Sequence, residues 1–181
     1  MIDPKTGIDF PMFQSQVLDT FGSPTGPPFP ENYLRTMDFT EFATPFAHVR
    51  DFMGDPWDCR IYGNYVLEDP LRATFRAIVG LGLAQELQTF DGCFNIRKMK
   101  GGSGYSMHSW GLACDFNAGS NPFGGDSAFS DAFVLCFAQN GFEWGGLWAP
   151  DNLRDGMHMQ LPWIRTRTGP LAPVAWGGSP A

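Results

Sequence analysis

Two short stretches of strict alternation constrain this chain more than any other feature. Residues 112–117 put Leu112, Cys114 and Phe116 on one side and Ala113, Asp115 and Asn117 on the other. Residues 156–161 put His158 and Gln160 on one side and Met157, Met159 and Leu161 on the other. A period of two marks a strand, whose successive side chains point to opposite faces. Asp115 is thereby kept off the core face. The chain has only three histidines, and two of them, His108 and His158, lie in or beside these stretches, within clusters rich in Gly, Trp and Asp.

Helices are expected elsewhere. Asp69-Pro70 predicts a helix start, because proline is tolerated in the first turn. Leu71, Phe75, Ile78 and Val79 then fall at helical spacing, and Gly80 and Gly82 weaken the end. Ser127 or Ser130 caps a second helix through Phe129, Phe133, Val134 and Phe137, which ends at Asn140-Gly141. A short helix is expected within 40–52, a strand or hairpin over 87–99, a flexible loop at 101–104 and a short strand at 142–144. The length, 181 residues, fits one domain. Residues 1–40, rich in Pro, Gly and Phe, read as an extended N-terminal arm, 41–165 as the domain proper, and 166–181 as a loose Pro/Gly-rich tail.

The chemistry lies in the histidine clusters. Two imidazoles and one carboxylate are the ligand set of a catalytic zinc with one position open. His108 and Asp115 are seven residues apart, which rules out one helical face of the HExxH kind. The spacing suits a loop ligand followed by a strand ligand, with Gly111 bending the backbone between them. His158 completes the set. Asp155, three residues earlier, is the candidate proton acceptor, and Arg97 the candidate cation for an oxyanion. Ser106 is a candidate to hydrogen-bond a substrate or orient a ligand. Trp144 and Trp148, beside glycines, read equally as substrate platform or core. His48 has no such surroundings and reads as a packing residue.

A net charge of −7 argues against binding to nucleic acid or an anionic bilayer. No stretch reaches the apolar length of a membrane helix. Met1-Ile2-Asp3-Pro4-Lys5 lacks the basic start of a secretory signal, so synthesis in a host cytoplasm and delivery by another system are expected. Cys59, Cys93, Cys114 and Cys136 form no C-x-x-C pair, which disfavours a structural zinc knot. Cys114 and Cys136 read as buried thiols.

Three ordered segments carry a family resemblance. Ser106, His108, Gly111, Ala113 and Asp115 form S-x-H-x-x-G-x-A-x-D; Gly141-Phe142-Glu143-Trp144-Gly145-Gly146-Leu147-Trp148 follows, then Asp155-x-x-His158. The set resembles the zinc D-alanyl-D-alanine carboxypeptidase family, which includes vancomycin-resistance-type D,D-carboxypeptidases and the L-alanyl-D-glutamate endopeptidases of phage endolysins. The resemblance covers roughly residues 70–162. It implies a small α+β domain with a central antiparallel sheet flanked by helices and a zinc site on one sheet face. It implies Zn2+ on His108, Asp115 and His158, Asp155 as general acid/base, and Arg97 as the upstream basic residue. The implied activity is cleavage of bacterial peptidoglycan stem peptides by a monomer, expected at the L-alanyl-D-glutamate bond. D-alanyl-D-alanine carboxypeptidase or dipeptidase activity is the first alternative; a non-catalytic wall-binding or virion protein with a structural zinc is the second. Met159-Gln160 departs from the aromatic–acid pair that often follows the last histidine in endolysin-like members.

Overall fold

A computed structural model describes residues 12–100, 102–148 and 150–163. Residues 1–11 of the expected arm and the expected tail over 166–181 lie outside the described residues. In chain order the helices and strands are α1 Val17–Phe21, α2 Phe29–Tyr33, β1 Leu34–Asp38, β2 Arg50–Asp51, β3 Arg60–Asn64 and α3 Glu68–Gly80. They continue with β4 Thr89–Gly92, β5 Ala113–Phe116, α4 Asp131–Gln139, β6 Glu143–Trp144 and β7 His158–Gln160.

Five strands form one sheet in the order β2-β4-β5-β7-β6, and β1 pairs with β3 in a second, two-stranded sheet. The β4–β5, β5–β7 and β6–β7 pairs are antiparallel, as the α+β reading expects. The edge pair β2–β4 is parallel, so the sheet is mixed rather than wholly antiparallel. The pairing that matters most is β5 on β7, where Asp115 stands opposite His158 and Cys114 opposite Met159.

Alternation sorts the two faces. Phe116 of β5 meets Phe75 of α3 at 6.3 Å and Phe137 of α4 at 5.4 Å between ring centroids. Leu112, Cys114, Phe116 and Met159 are fully buried on this helix-covered side. Burying each large apolar side chain contributes about 1.5–3 kcal/mol, which holds α3 and α4 to this face. The other face carries Asp115, His158 and Gln160.

The helices follow their local signals. Pro70 is the third residue of α3, still in the turn whose N–H groups need no helical partner. Leu71, Thr74, Phe75 and Ile78 form its buried stripe. Of the two candidate caps for α4, Ser130 is used: its hydroxyl accepts from Phe133 N at 3.1 Å. Ser127 instead donates to Asn121 Oδ1 at 2.6 Å.

Two stretches differ from expectation. Within 40–52 the chain makes only a 3-10 turn, Thr40–Phe42, followed by turns and β2. Pro45 lacks an N–H and disfavours helical backbone at Thr44, which stops propagation. Residues 12–40 are not extended throughout, because they hold α1, α2 and β1. Val17, Phe21, Phe29, Met37 and Phe39 from this segment are buried in the common core. Its phenylalanines supply the reason, as Phe39 packs edge-on against Phe75 at 5.3 Å. All four cysteines are buried and free. No helix among the described residues is long and apolar enough to cross a membrane.

Candidate metal centre

A 3-10 turn, Met107–Trp110, delivers His108 to the sheet and ends at Gly111. Gly111 has φ +62°, and a Cβ there would lie 2.7 Å from Asn64 N. Both the left-handed backbone and the close approach to β3 require glycine. From this turn His108 Nε2 reaches to 3.1 Å of Asp115 Oδ2. His158 Nδ1 lies 3.1 Å from Asp115 Oδ1 and 3.1 Å from His108 Nε2. One ligand atom from each of the three residues falls within 4.8 Å of the others.

Hydrogen bonds settle which ring nitrogen of each neutral imidazole is bare. His108 Nδ1 lies 2.6 Å from the Cys93 carbonyl, which can only accept, so Nδ1 carries the proton and Nε2 a lone pair. His158 Nε2 donates to Gln160 Oε1 at 3.0 Å, which leaves Nδ1 bare. Two lone pairs and a carboxylate therefore point at one place, an arrangement that is unfavourable unless a cation or proton sits among them. Donors bound at zinc distances around a tetrahedral ion stand about 3.3 Å apart, close to the spacing seen here. The donor set fits zinc. Without metal, burial works to neutralise Asp115, but the His108 and His158 rings, when they carry protons toward it, outweigh burial and hold the carboxyl far below its usual range. Burial likewise disfavours a charged His158, yet the neighbouring Asp115 and Asp155 carboxylates leave its pKa raised.

Asp155 lies in the same cavity, about 440 Å³ in volume, together with Arg97, Ser106 and Trp148. Its Oδ1 is buried without a hydrogen-bond partner. Burial is the main reason its pKa is raised, with Asp115 adding repulsion. A carboxyl with a bare oxygen and a raised pKa beside a metal-ligand cluster is what a proton carrier requires. The Gly-Gly segment positions it. A Cβ on Gly145 would lie 2.6 Å from the Asp155 carbonyl oxygen, and a Cβ on Gly146 would lie 2.2 Å from the Trp144 ring. Asp155 N donates to Gly145 O at 3.0 Å.

The other sequence candidates separate. Arg97 Nη2 stands 3.9 Å from Asp115 Oδ2 on the cavity wall. Its backbone is pinned on both sides by Ser109: Arg97 N donates to Ser109 Oγ, which donates back to Arg97 O, each at 2.9 Å. Ser106 lines the cavity, and its N–H donates to the Arg97 carbonyl at 3.0 Å. Orientation of the His108 ring comes from the Cys93 carbonyl, not from Ser106. Trp148 lines the cavity with its ring 5.2 Å from that of His158, and its Nε1 is buried without a partner. Trp144 is not among the cavity-lining residues; its indole donates to Gly156 O at 2.8 Å and packs on Gly146. The two glycines thus press Trp144 into the scaffold. His48 packs as expected, with Nε2 donating to Leu87 O at 2.9 Å.

Sequence reading passed over four contributors: Cys93, Ser109, Gln160 and Lys100. Gln160 had a signal, since alternation puts it on the His158 side of β7. Lys100 lies on the cavity wall with Nζ 4.2 Å above the Phe123 ring. Cys93 acts through a backbone carbonyl, which every residue has, so no residue type announces it. Gln14, from the N-terminal segment, also lines the cavity and donates to Met99 Sδ at 3.1 Å.

No curated protein and no solved structure matches the chain. Residues 100–161 match the family model described as D-alanyl-D-alanine carboxypeptidase. That span contains His108, Asp115, Asp155 and His158 and stops short of Arg97. Over that segment, about a third of the chain, the protein is similar to the D-alanyl-D-alanine carboxypeptidase family, and the His–Asp–His cluster falls inside it.

Proposed function

We propose that the protein is a zinc peptidase that cuts the peptide stems of bacterial peptidoglycan, at the L-alanyl-D-glutamate bond, as an endolysin-like endopeptidase. One observation carries the reading: the bare nitrogens of His108 and His158 converge with Asp115 beside the buried, unpartnered Oδ1 of Asp155.

His108, Asp115 and His158 would hold the zinc. Zinc supplies Lewis acidity there and makes water nucleophilic near neutral pH. Asp155 accepts the proton of the attacking water and returns it to the leaving amine. Arg97 presents fixed positive charge to the oxyanion of the tetrahedral intermediate, and the Ser109 clamp holds its backbone in place. Trp148 walls the cavity beside His158. Lys100 is placed to pair with a carboxylate on the substrate, such as that of a D-glutamyl residue.

The family description favours a second reading, removal of a terminal D-alanine, in which Arg97 and Lys100 receive the chain-terminal carboxylate. A purely structural zinc is disfavoured, because such sites have four protein ligands and no open side. Here three side chains converge, and two of them, Asp115 and His158, line a cavity that Asp155 lines as well.

Digestion of purified peptidoglycan, with and without chelator, separates these readings by mass spectrometry of the released ends. New L-alanine carboxyl and D-glutamate amino ends, lost with chelator and restored by zinc, are expected. Free D-alanine would establish the carboxypeptidase instead. Bound zinc without any cleavage would overturn the peptidase reading.

A further inference from the structure

We infer that Gln160 is a positioning residue that fixes the tautomer of His158 and thereby sets the affinity of the site for zinc. The inference rests on the metal-site reading above and goes beyond its three ligands. His158 faces Asp115 and His108 through Nδ1, so this nitrogen must be bare to bind metal. A neutral imidazole carries one N–H, which must then sit on Nε2. Only an acceptor opposite Nε2 enforces that choice.

Gln160 is held so that it can be nothing but that acceptor. Its Nε2 donates to Glu143 Oε2 at 3.0 Å and, in a short hydrogen bond, to the Pro162 carbonyl. Both partners are acceptors. Turning the amide over would set Oε1 against two acceptors and the NH2 group against the His158 N–H. Oε1 is therefore committed to His158, at 3.0 Å. The residue is 2 % exposed, and burying an amide is unfavourable unless each of its groups is paired.

Strand register builds the relay. His158 and Gln160 share one face of β7. On one side β5 sets Asp115 opposite His158; on the other β6 sets Glu143 opposite Gln160. The ligand, its carboxylate neighbour and its orienting amide are thus consecutive consequences of the β5-β7-β6 order. An amide oxygen accepts the Nε2 proton without drawing it away, so Nδ1 is the nitrogen left to bind metal. Groups that orient metal-bound histidines typically change metal affinity about 10–100-fold when removed.

The test compares wild type with Gln160→Met, which keeps the volume and loses the acceptor, and Gln160→Glu, whose protonated form keeps an acceptor toward His158 and a donor toward Glu143. Zinc affinity is measured by chelator competition. Nitrogen-15 NMR of the histidine rings in the zinc-loaded protein reads which nitrogen carries the proton. Gln160→Met is expected to weaken zinc binding about 10–100-fold and to lose the protected His158 Nε2–H signal, while the His108 ring, held by Cys93, stays unchanged. Gln160→Glu is expected to keep both the signal and an affinity closer to wild type. Wild-type zinc affinity and an unchanged His158 ring in Gln160→Met would overturn the inference. If Gln160→Met does not fold, loss of the His158 Nε2–H signal in folded Gln160→Glu overturns it equally. Tight zinc binding without peptidoglycan cleavage would sink the peptidase reading and leave the role of Gln160 intact.

Discussion

Gly145→Ala isolates the claim that close packing, not backbone freedom, places the proton carrier. Gly145 has no positive φ, so alanine is allowed by its backbone. Its added Cβ would nevertheless meet the Asp155 carbonyl oxygen at 2.6 Å, the Asp155 Cβ at 3.1 Å and the His158 Cβ at 3.3 Å. Carbon and carbonyl oxygen rest about 3.3 Å apart at closest, so the two backbones must separate by about 0.7 Å. Overpacking of this size costs about 1–3 kcal/mol of stability. The same displacement moves a proton carrier and a metal ligand together, and misplacement near 1 Å costs about 100-fold in rate. The expected result is a fall in melting temperature and a loss of kcat of about 10–100-fold. Gly80→Ala is the control, since a Cβ there meets nothing within 4 Å; it should leave activity unchanged and stability equal or slightly higher. Differential scanning calorimetry and peptidoglycan turnover read both variants. Wild-type stability and rate in Gly145→Ala would refute the packing argument.

Asp155→Asn should retain zinc and lose about 100- to 10,000-fold in kcat, the range of general acid–base catalysis; a variant with both zinc and full activity would remove Asp155 from the mechanism. The raised pKa of His158 gives a signed pH effect in the metal-free protein. Its contribution to stability is fully present below the ordinary imidazole value near 6.5 and is lost as pH rises through the raised value. Zinc must displace that proton, so zinc uptake just above pH 6.5 should release it and tighten as pH rises. Calorimetry in buffers of different ionisation enthalpy reads the release, and a buffer-independent heat would count against it. Lys100→Ala should raise KM about twofold to fivefold on stems with a free carboxylate, as expected of a solvent-screened ion pair, and leave amidated stems unaffected; equal effects on both would show that Lys100 does not read charge.

Local chemistry made part of this protein legible in its sequence. The alternation around Asp115 and His158, the apolar stripe of α3 and the cap-to-glycine span of α4 are properties of neighbouring residues. Each survived folding because nothing distant opposed it. The clustering of two histidines and two aspartates among glycines was legible for the same reason, and it pointed to residues that do lie together. Phe-rich residues 12–40 were harder to read. Their Pro and Gly content marks turns, but whether the phenylalanines between them are buried depends on a core built from residues far along the chain.

By itself, the sequence determined the type of the clearly periodic elements and the inventory of reactive groups, because backbone period and side-chain chemistry are local. Tertiary structure alone decided geometry. Register across β5, β7 and β6 sets Asp115 opposite His158 and Glu143 opposite Gln160, and no local signal encodes which strands become neighbours. Contact with a backbone carbonyl orients His108, and the amide of Gln160 orients His158. The press of Gly146 turns Trp144 into scaffold, while Trp148 is left beside the cavity. These are pairings between chain segments far apart in sequence, selected by the burial of one shared core, and they turn a set of candidate residues into a site.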